Sequence, residues 1–440
     1  MKKTIFLLLI SFQIVEAQRP KDLGHFLKPT VFATTMVMIH DVVNPPAASR
    51  FYAYSLLGAQ EIIARNNKNI LSPMALVKRL KPIEISEKQT YNYQIAALYS
   101  ILETGRIMMP SGEVLAEEQS KFIESLKLEG IQELEIERAI GVAKEVSKQI
   151  AADAASDNYL KLSALRRYRP LKGEAYWYPT PPGYIEGIEP NWKTIKTMLI
   201  DSCNQFVPVE PVPYSSDTTS EFYRQTMEVY QAVNNLNEET TLIASFWDCN
   251  PFAINTSGHM MIGFKKISPG GHWMGIAGIA SEKAKLSLDQ SVLVHSLVGI
   301  TLMDAFISCW DEKYRSNRIR PETVINRLID KRWQPLLQTP PFPEYTSGHS
   351  VISTAAAETL TYLFGDHFSF SDDTEIIFDL PVREFKSFRL ASEEAAISRL
   401  YGGIHYRDAI VYGQKQGREI GQFVVKKLKQ AGVGPLIIRP

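Results

Sequence analysis

Cysteine is scarce in this chain: Cys203, Cys249 and Cys309 are its only three among 440 residues. Their spacing forms neither a disulfide framework nor a paired-cysteine zinc motif, so three buried thiols are expected. An excess of one charge is also lacking, because 48 Lys and Arg balance 48 Asp and Glu. Without a global basic field, nucleic acid is not an expected partner, and any anion site must be local. Apolar–polar alternation, the mark of half-buried strands, is rare. The most apolar stretch in the body of the chain, 291–310, is interrupted by His295, Ser296, Asp304 and Ser308. It reads as a buried helix, and no stable membrane insertion is expected.

The first residues carry a separate signal. Lys2 and Lys3 precede an apolar run from Ile5 to Ile10 that continues to Ile14 and Val15, and Ala17 follows. This pattern predicts a secretory signal peptide over 1–17, cut to leave Gln18 first, and therefore an exported protein, periplasmic or secreted. The run is short for a membrane anchor. No Cys stands at the cut to accept a lipid.

What the chain has in quantity is helical periodicity. Helices are predicted from Pro45 to Arg65, Gln89 to Ile107, Glu113 to Leu128 and Ile131 to Ser156. Further helices follow over Ser220 to Asn237, Lys283 to Lys313, Ser350 to Phe364, Ser392 to Tyr401 and Asp408 to Gln430. Between them, Arg169 to Trp192 is rich in Pro, Gly and aromatics, and too apolar for a flexible linker. The expected fold is all-α, a helical bundle, with an N-terminal helical region over 18–240 and a catalytic region over 241–440 joined in one compact unit.

Three segments of the last third share a chemistry. Lys313 is followed after six residues by Arg320-Pro321; then comes Thr346-Ser347-Gly348-His349; then Ser398-Arg399, five residues, His405, and Asp408. Three cations, a hydroxyl, an unhindered backbone N–H and two imidazoles can hold a tetrahedral or trigonal-bipyramidal oxyanion. Gly348 lets the backbone approach, and a helix beginning near Ser350 would favour an anion at its N-terminus. One imidazole can ligate or attack the central atom while the other moves a proton.

This ordered set resembles the superfamily that unites type 2 phosphatidic acid phosphatases, bacterial acid phosphatases and vanadium-dependent haloperoxidases. Thr346 stands where that signature has Pro, and Asp408 falls one residue early. The resemblance implies that Lys313, Arg320, Ser347, Gly348 and Arg399 bind the oxyanion. His405 would be the axial vanadium ligand, or the phosphoryl-accepting nucleophile of a phosphatase, and His349 the acid–base group. Asp408, on a shared helical face, would orient His405. Trp310 and Asp311, just before Lys313, and Phe342, five residues before Ser347, resemble the halide side of bacterial iodide-specific haloperoxidases. That likeness implies a vanadate cofactor, with hydrogen peroxide, halide and small organic acceptors as reactants. An acid phosphatase working through a phosphohistidine is the alternative, and a non-catalytic oxyanion-binding protein a more distant one.

The remaining histidines receive less. Thr256-Ser257-Gly258-His259 repeats the second segment without its cationic partners and reads as a decoy. His272, in Pro269-Gly270-Gly271-His272-Trp273, is similar to a loop upstream of the signature in bacterial haloperoxidase-like proteins, and a packed loop histidine is expected there. His25, His40, His295 and His367 lie in no matching motif.

Overall fold

The structure is a computed structural model that describes residues 22–87, 90–255 and 262–437. The expected signal peptide and the decoy at 256–259 lie outside these residues. Fourteen α-helices are described. The N-terminal ones are α1 (Leu27–His40), α2 (Pro45–Asn66), the short α3 (Pro73–Leu76), α4 (Tyr93–Met108), α5 (Leu115–Leu128) and α6 (Glu133–Ala155). In the middle come α7 (Glu221–Asn234), α8 (Glu238–Phe246), α9 (Pro269–Lys283) and α10 (Leu288–Ser316). The chain ends with α11 (Pro321–Leu328), α12 (Gly348–Phe364), α13 (Phe388–Tyr401) and α14 (Arg407–Gln430). Among the described residues, strands are confined to two antiparallel pairs, β1 (Ala253–Asn255) with β2 (Ile262–Phe264) and β3 (Phe370–Asp372) with β4 (Arg383–Phe385).

Local chemistry sets the helix starts. Asn44 caps α2 by accepting from the Ala47 N–H, with Pro45 and Pro46 in the first turn. Asn92 accepts from the N–H groups of Gln94 and Ile95, which starts α4 at Tyr93 rather than at Gln89. Ser268 accepts from Gly271 and Pro269 opens α9, so the Pro-Gly-Gly-His-Trp stretch is a first helical turn and not the expected loop. The helices α1, α8 and α11 were likewise not foreseen.

α10 is the spine. It packs on α2 on one side and on α9 and α12 on the other. One buried apolar cluster runs from Leu23 through the α10 side chains to Val433. α10 is the one described helix long and apolar enough to cross a membrane, and that stretch is buried inside the protein. α12 packs along α14, where Gly413, Gly417 and Gly421 lie at four-residue spacing. A Cβ at Gly417 would stand 2.3 Å from the Val351 carbonyl oxygen, so this close approach needs glycine. The stretch from Arg169 to Trp192 is irregular and packed, as expected: the Trp177 N–H donates to Asn317 O at 2.8 Å and the Ile188 N–H to Pro341 O at 3.0 Å. It braces the end of α10. Cys249 and Cys309 are buried free thiols, whereas Cys203 is only half-buried, because it packs against the main core from the irregular chain before α7.

Candidate active site

The second and third sequence segments line one small cavity, and Lys313 and Arg320 of the first stand behind its wall, against Phe342 and His405. Gly348, His349, Arg399 and His405 line it together with Trp310, Phe342, Phe306 and Cys249. α10 delivers Lys313, the turn before α11 delivers Arg320, the start of α12 delivers Ser347 to His349, and α13 delivers Arg399. Backbone bonds tie the segments: Ser347 N–H to Ala409 O at 3.0 Å, and Glu344 N–H to Arg318 O at 3.0 Å.

The cations are buried without matching carboxylates. Lys313 Nζ donates to the carbonyls of Pro343 (3.2 Å), Glu344 (3.1 Å) and Thr346 (2.5 Å). Its three N–H bonds are thus taken, and it offers the cavity charge rather than a free donor. Burial, aided by Arg320, pulls its pKa down to about 8. Arg320 donates through Nε to Phe342 O (3.0 Å) and through Nη1 to Ile404 O (2.8 Å). Its Nη2 is buried with no partner among the described residues. Burial brings the Arg320 pKa to about 10, with Glu344 opposing. Arg399 donates to Ser398 Oγ at 2.9 Å and Trp247 O at 2.6 Å, and burial lowers its pKa too.

The two imidazoles are both held neutral. His405 Nδ1 lies 2.8 Å from Glu344 Oε1, and its Nε2 lies 3.2 Å from Arg320 Nη1. Arginine can only donate, so Nε2 carries the lone pair and Nδ1 the proton. Burial, then the charges of Arg320 and Lys313, holds the His405 pKa well below its ordinary value. Burial, then Arg399 and His405, does the same to His349, while a bond to the Trp247 backbone works the other way. His349 Nε2 is buried and, among the described residues, unpartnered.

Asp408 does not orient His405. The ring belongs to the turn before α14, which begins at Arg407, so the helical spacing expected to join the two is never formed. Asp408 instead accepts from Arg318 Nη1 at 2.6 Å and from Val212 N–H at 3.1 Å. The orienting carboxylate is Glu344, which also accepts from Tyr406 N–H at 3.0 Å and pairs with Arg318 at 3.4 Å. Burial raises the Glu344 pKa, and Arg318, Arg320 and Lys313 pull it back. Asp311 points away, toward Arg315 at 3.5 Å. Trp310 and Phe342 pack ring to ring at 4.9 Å on the cavity wall. Ser347 caps α12 by accepting from Ser350 N–H, which leaves its own O–H to donate. A Cβ at Gly348 would come no nearer than 3.9 Å to Lys313 or Trp310, so packing does not require glycine there. It would instead fill the space through which an anion reaches the backbone N–H.

Surplus buried charge, the unpartnered Arg320 Nη2 and His349 Nε2, and the open backbone at Gly348 fit a tetrahedral oxyanion. The family description that matches residues 294–432 is the second helical-bundle domain of VCPO. No curated protein gives a significant match. Among solved structures, the first bacterial vanadium-dependent iodoperoxidase is 43% identical with a TM-score of 0.86, covering 93% of this chain and 98% of its own. A holo-type bacterial vanadium-dependent chloroperoxidase (14% identity, TM-score 0.61, 95% of this chain and 97% of its own) shares the fold. So does an apo-type one (15% identity, TM-score 0.63, 89% and 96%). Likeness over nearly the whole length, at an identity well above that of fold alone, places this chain in the family of bacterial vanadium-dependent haloperoxidases.

Proposed function

We propose that this chain is a vanadate-dependent iodoperoxidase in which His405 Nε2 ligates the vanadium and His349 moves the proton. The observation that carries the reading is His405 itself: a neutral ring, lone pair turned to the cation cluster, its other nitrogen fixed by a buried carboxylate. Lys313, Arg320 and Arg399 balance the oxyanion charge, and the Gly348 N–H and Ser347 O–H donate to its oxygens. When bound, vanadate supplies a Lewis-acidic centre that activates hydrogen peroxide for attack by halide. Halide oxidation to hypohalous acid and water takes up a proton. His349 Nε2, neutral and unpartnered at the cavity, can accept and return it. The rings of Trp310, Phe342 and Phe306 keep water from the wall where halide would enter. Iodide as the preferred halide is supported by the kinship to an iodoperoxidase. Export is supported by the Lys2–Ala17 pattern alone, and a mature protein starting at Gln18 would be its signature.

The test is iodide oxidation by peroxide in protein stripped of oxyanions. Activity should appear on adding vanadate, fall with excess phosphate, and be absent in His405→Ala. Full activity without vanadate, or phosphate-ester hydrolysis with no iodide oxidation, would defeat the reading.

A further inference from the structure

Beside the oxyanion cavity lies a second buried cluster that the halide chemistry does not use. Cys249, in the turn after α8, His272, in the first turn of α9, and Glu375, after β3, meet in the interior. Cys249 Sγ is 3.6 Å from His272 Nδ1 and 3.9 Å from Glu375 Oε1, and Nδ1 is 2.8 Å from Oε1. All three are at most 2% exposed. The other ring nitrogen, His272 Nε2, lies 2.8 Å from Asp372 Oδ2. Trp247 stacks on the ring at 4.4 Å.

We propose that Cys249, His272 and Glu375 form a site for a thiophilic divalent cation of the zinc class, adjoining the oxyanion cavity, whose wall it shares through Cys249. A thiolate, an imidazole and a carboxylate are the ligands such an ion selects, and the thiolate disfavours magnesium or calcium. Around a tetrahedral zinc ion these atoms would stand about 3.3 to 3.6 Å apart. The Cys249–His272 edge already has that length, and the other two need shifts of only about half an ångström. Asp372 on the far nitrogen is the carboxylate partner that fixes a ligating imidazole in its tautomer. The ion would replace one proton on Sγ and one on Nδ1, so burying it adds no net charge. Three protein ligands leave a fourth position for water. The consequence for the enzyme is positional. The ion would pin the turn that carries Trp247, whose carbonyl holds Arg399, and Cys249, which lines the oxyanion cavity.

The competing arrangement is a protonated His272 bridging Glu375 and Asp372 with no metal. Purified full chain, free of vanadate, is equilibrated with zinc or cobalt(II), desalted and assayed for metal. The parent should keep about one equivalent. Its cobalt form should show thiolate-to-cobalt absorption in the near-ultraviolet, and zinc should raise its melting temperature. Cys249→Ser, nearly isosteric, should lose the absorption band and the thermal shift. Glu375→Gln should bind at least about tenfold more weakly, which covers the case in which the serine variant does not fold. A parent that retains no metal, or a band that survives in Cys249→Ser and so belongs to Cys203 or Cys309, overturns the proposal. Because the assays use neither vanadate nor halide, their outcome is independent of the peroxidase reading.

Discussion

Buried positive charge occurs in both halves of this molecule, arranged in opposite ways. In the N-terminal half, Arg50 Nε donates to Asp157 Oδ2 at 2.7 Å and Nη2 to Ala154 O at 2.9 Å. The ring of Tyr159 lies 4.2 Å from the guanidinium, and Tyr54 adds its hydroxyl to the same carboxylate. The charge of Arg50 thus meets its opposite within the protein. Around the cavity, Lys313, Arg320 and Arg399 are as deeply buried, yet they rest mostly on backbone carbonyls. The nearby carboxylate, Glu344, is committed to His405 and Arg318. The first arrangement is complete as it stands. The second is left open, and it is the one that an anion would complete in the function proposed above.

The sharpest way to break this contrast is to remove one cation from each cluster. Arg50→Met strands the Asp157 carboxylate in the interior and should cost about 3 to 5 kcal/mol of stability. Vanadate affinity should not change. Arg320→Met leaves the carbonyls of Phe342 and Ile404 and the lone pair of His405 Nε2 without their donor, but it strands no charge and relieves a surplus one, so the anion-free protein should lose clearly less. It should instead lose the rise in melting temperature that vanadate gives the parent. Urea unfolding with and without vanadate reads both. Equal losses without the anion, with vanadate stabilisation intact in both variants, would end the distinction.

Much of this was legible in the sequence because both signals are local. Helical periodicity located α2, α4, α5, α6, α10, α12 and α14 to within a few residues, and motif spacing picked out segments that the fold brings near one another. What was missed depends on burial or on tertiary pairing. Pro269, Gly270 and Gly271 looked like helix breakers, but Ser268 caps them into the first turn of α9. Glu344 was passed over amid the aromatic and Pro residues of 341–345; an acidic residue three positions before Ser347, in so apolar a run, was the available clue. Asp408 was assigned to His405 by a helical spacing that does not apply, because the helix starts at Arg407, after the ring.

Glu344 supplies the next test. Its oxygen fixes the Nδ1 proton of His405, and an amide there weakens the preference for the tautomer that keeps Nε2 free. Glu344→Gln should lower vanadate affinity by about 10- to 100-fold. Asp408→Asn, which touches Arg318 and not the ring, should change it far less. Vanadate titration of the two variants decides between these carboxylates, and the reverse order would restore Asp408 to the role its spacing suggested.

The smallest expected effect is a pH dependence that isolates Lys313. With the cavity empty, its ammonium is charged below about 8 and loses its proton above that. A bound anion favours the charged form and raises this pKa. Affinity for an anion should therefore be level below about 8, then fall by up to about tenfold per pH unit above it. Tungstate suits the measurement, because its own charge does not change across this range. His405 and His349 are already neutral there, and the Arg320 guanidinium keeps its charge across this range. Glu312, beside Lys313, has a carboxyl that burial raises to about 7, so its ionisation adds a shallow decline at lower pH. Glu312→Gln should remove that decline and leave the break near 8 in place. Lys313→Gln should bind tungstate weakly and show no break at all. A profile in the Glu312→Gln background that stays level through about 9 would mean that Lys313 keeps its proton in the empty site. The carbonyls of Pro343, Glu344 and Thr346 would then be stabilising its charge as fully as Asp157 stabilises that of Arg50.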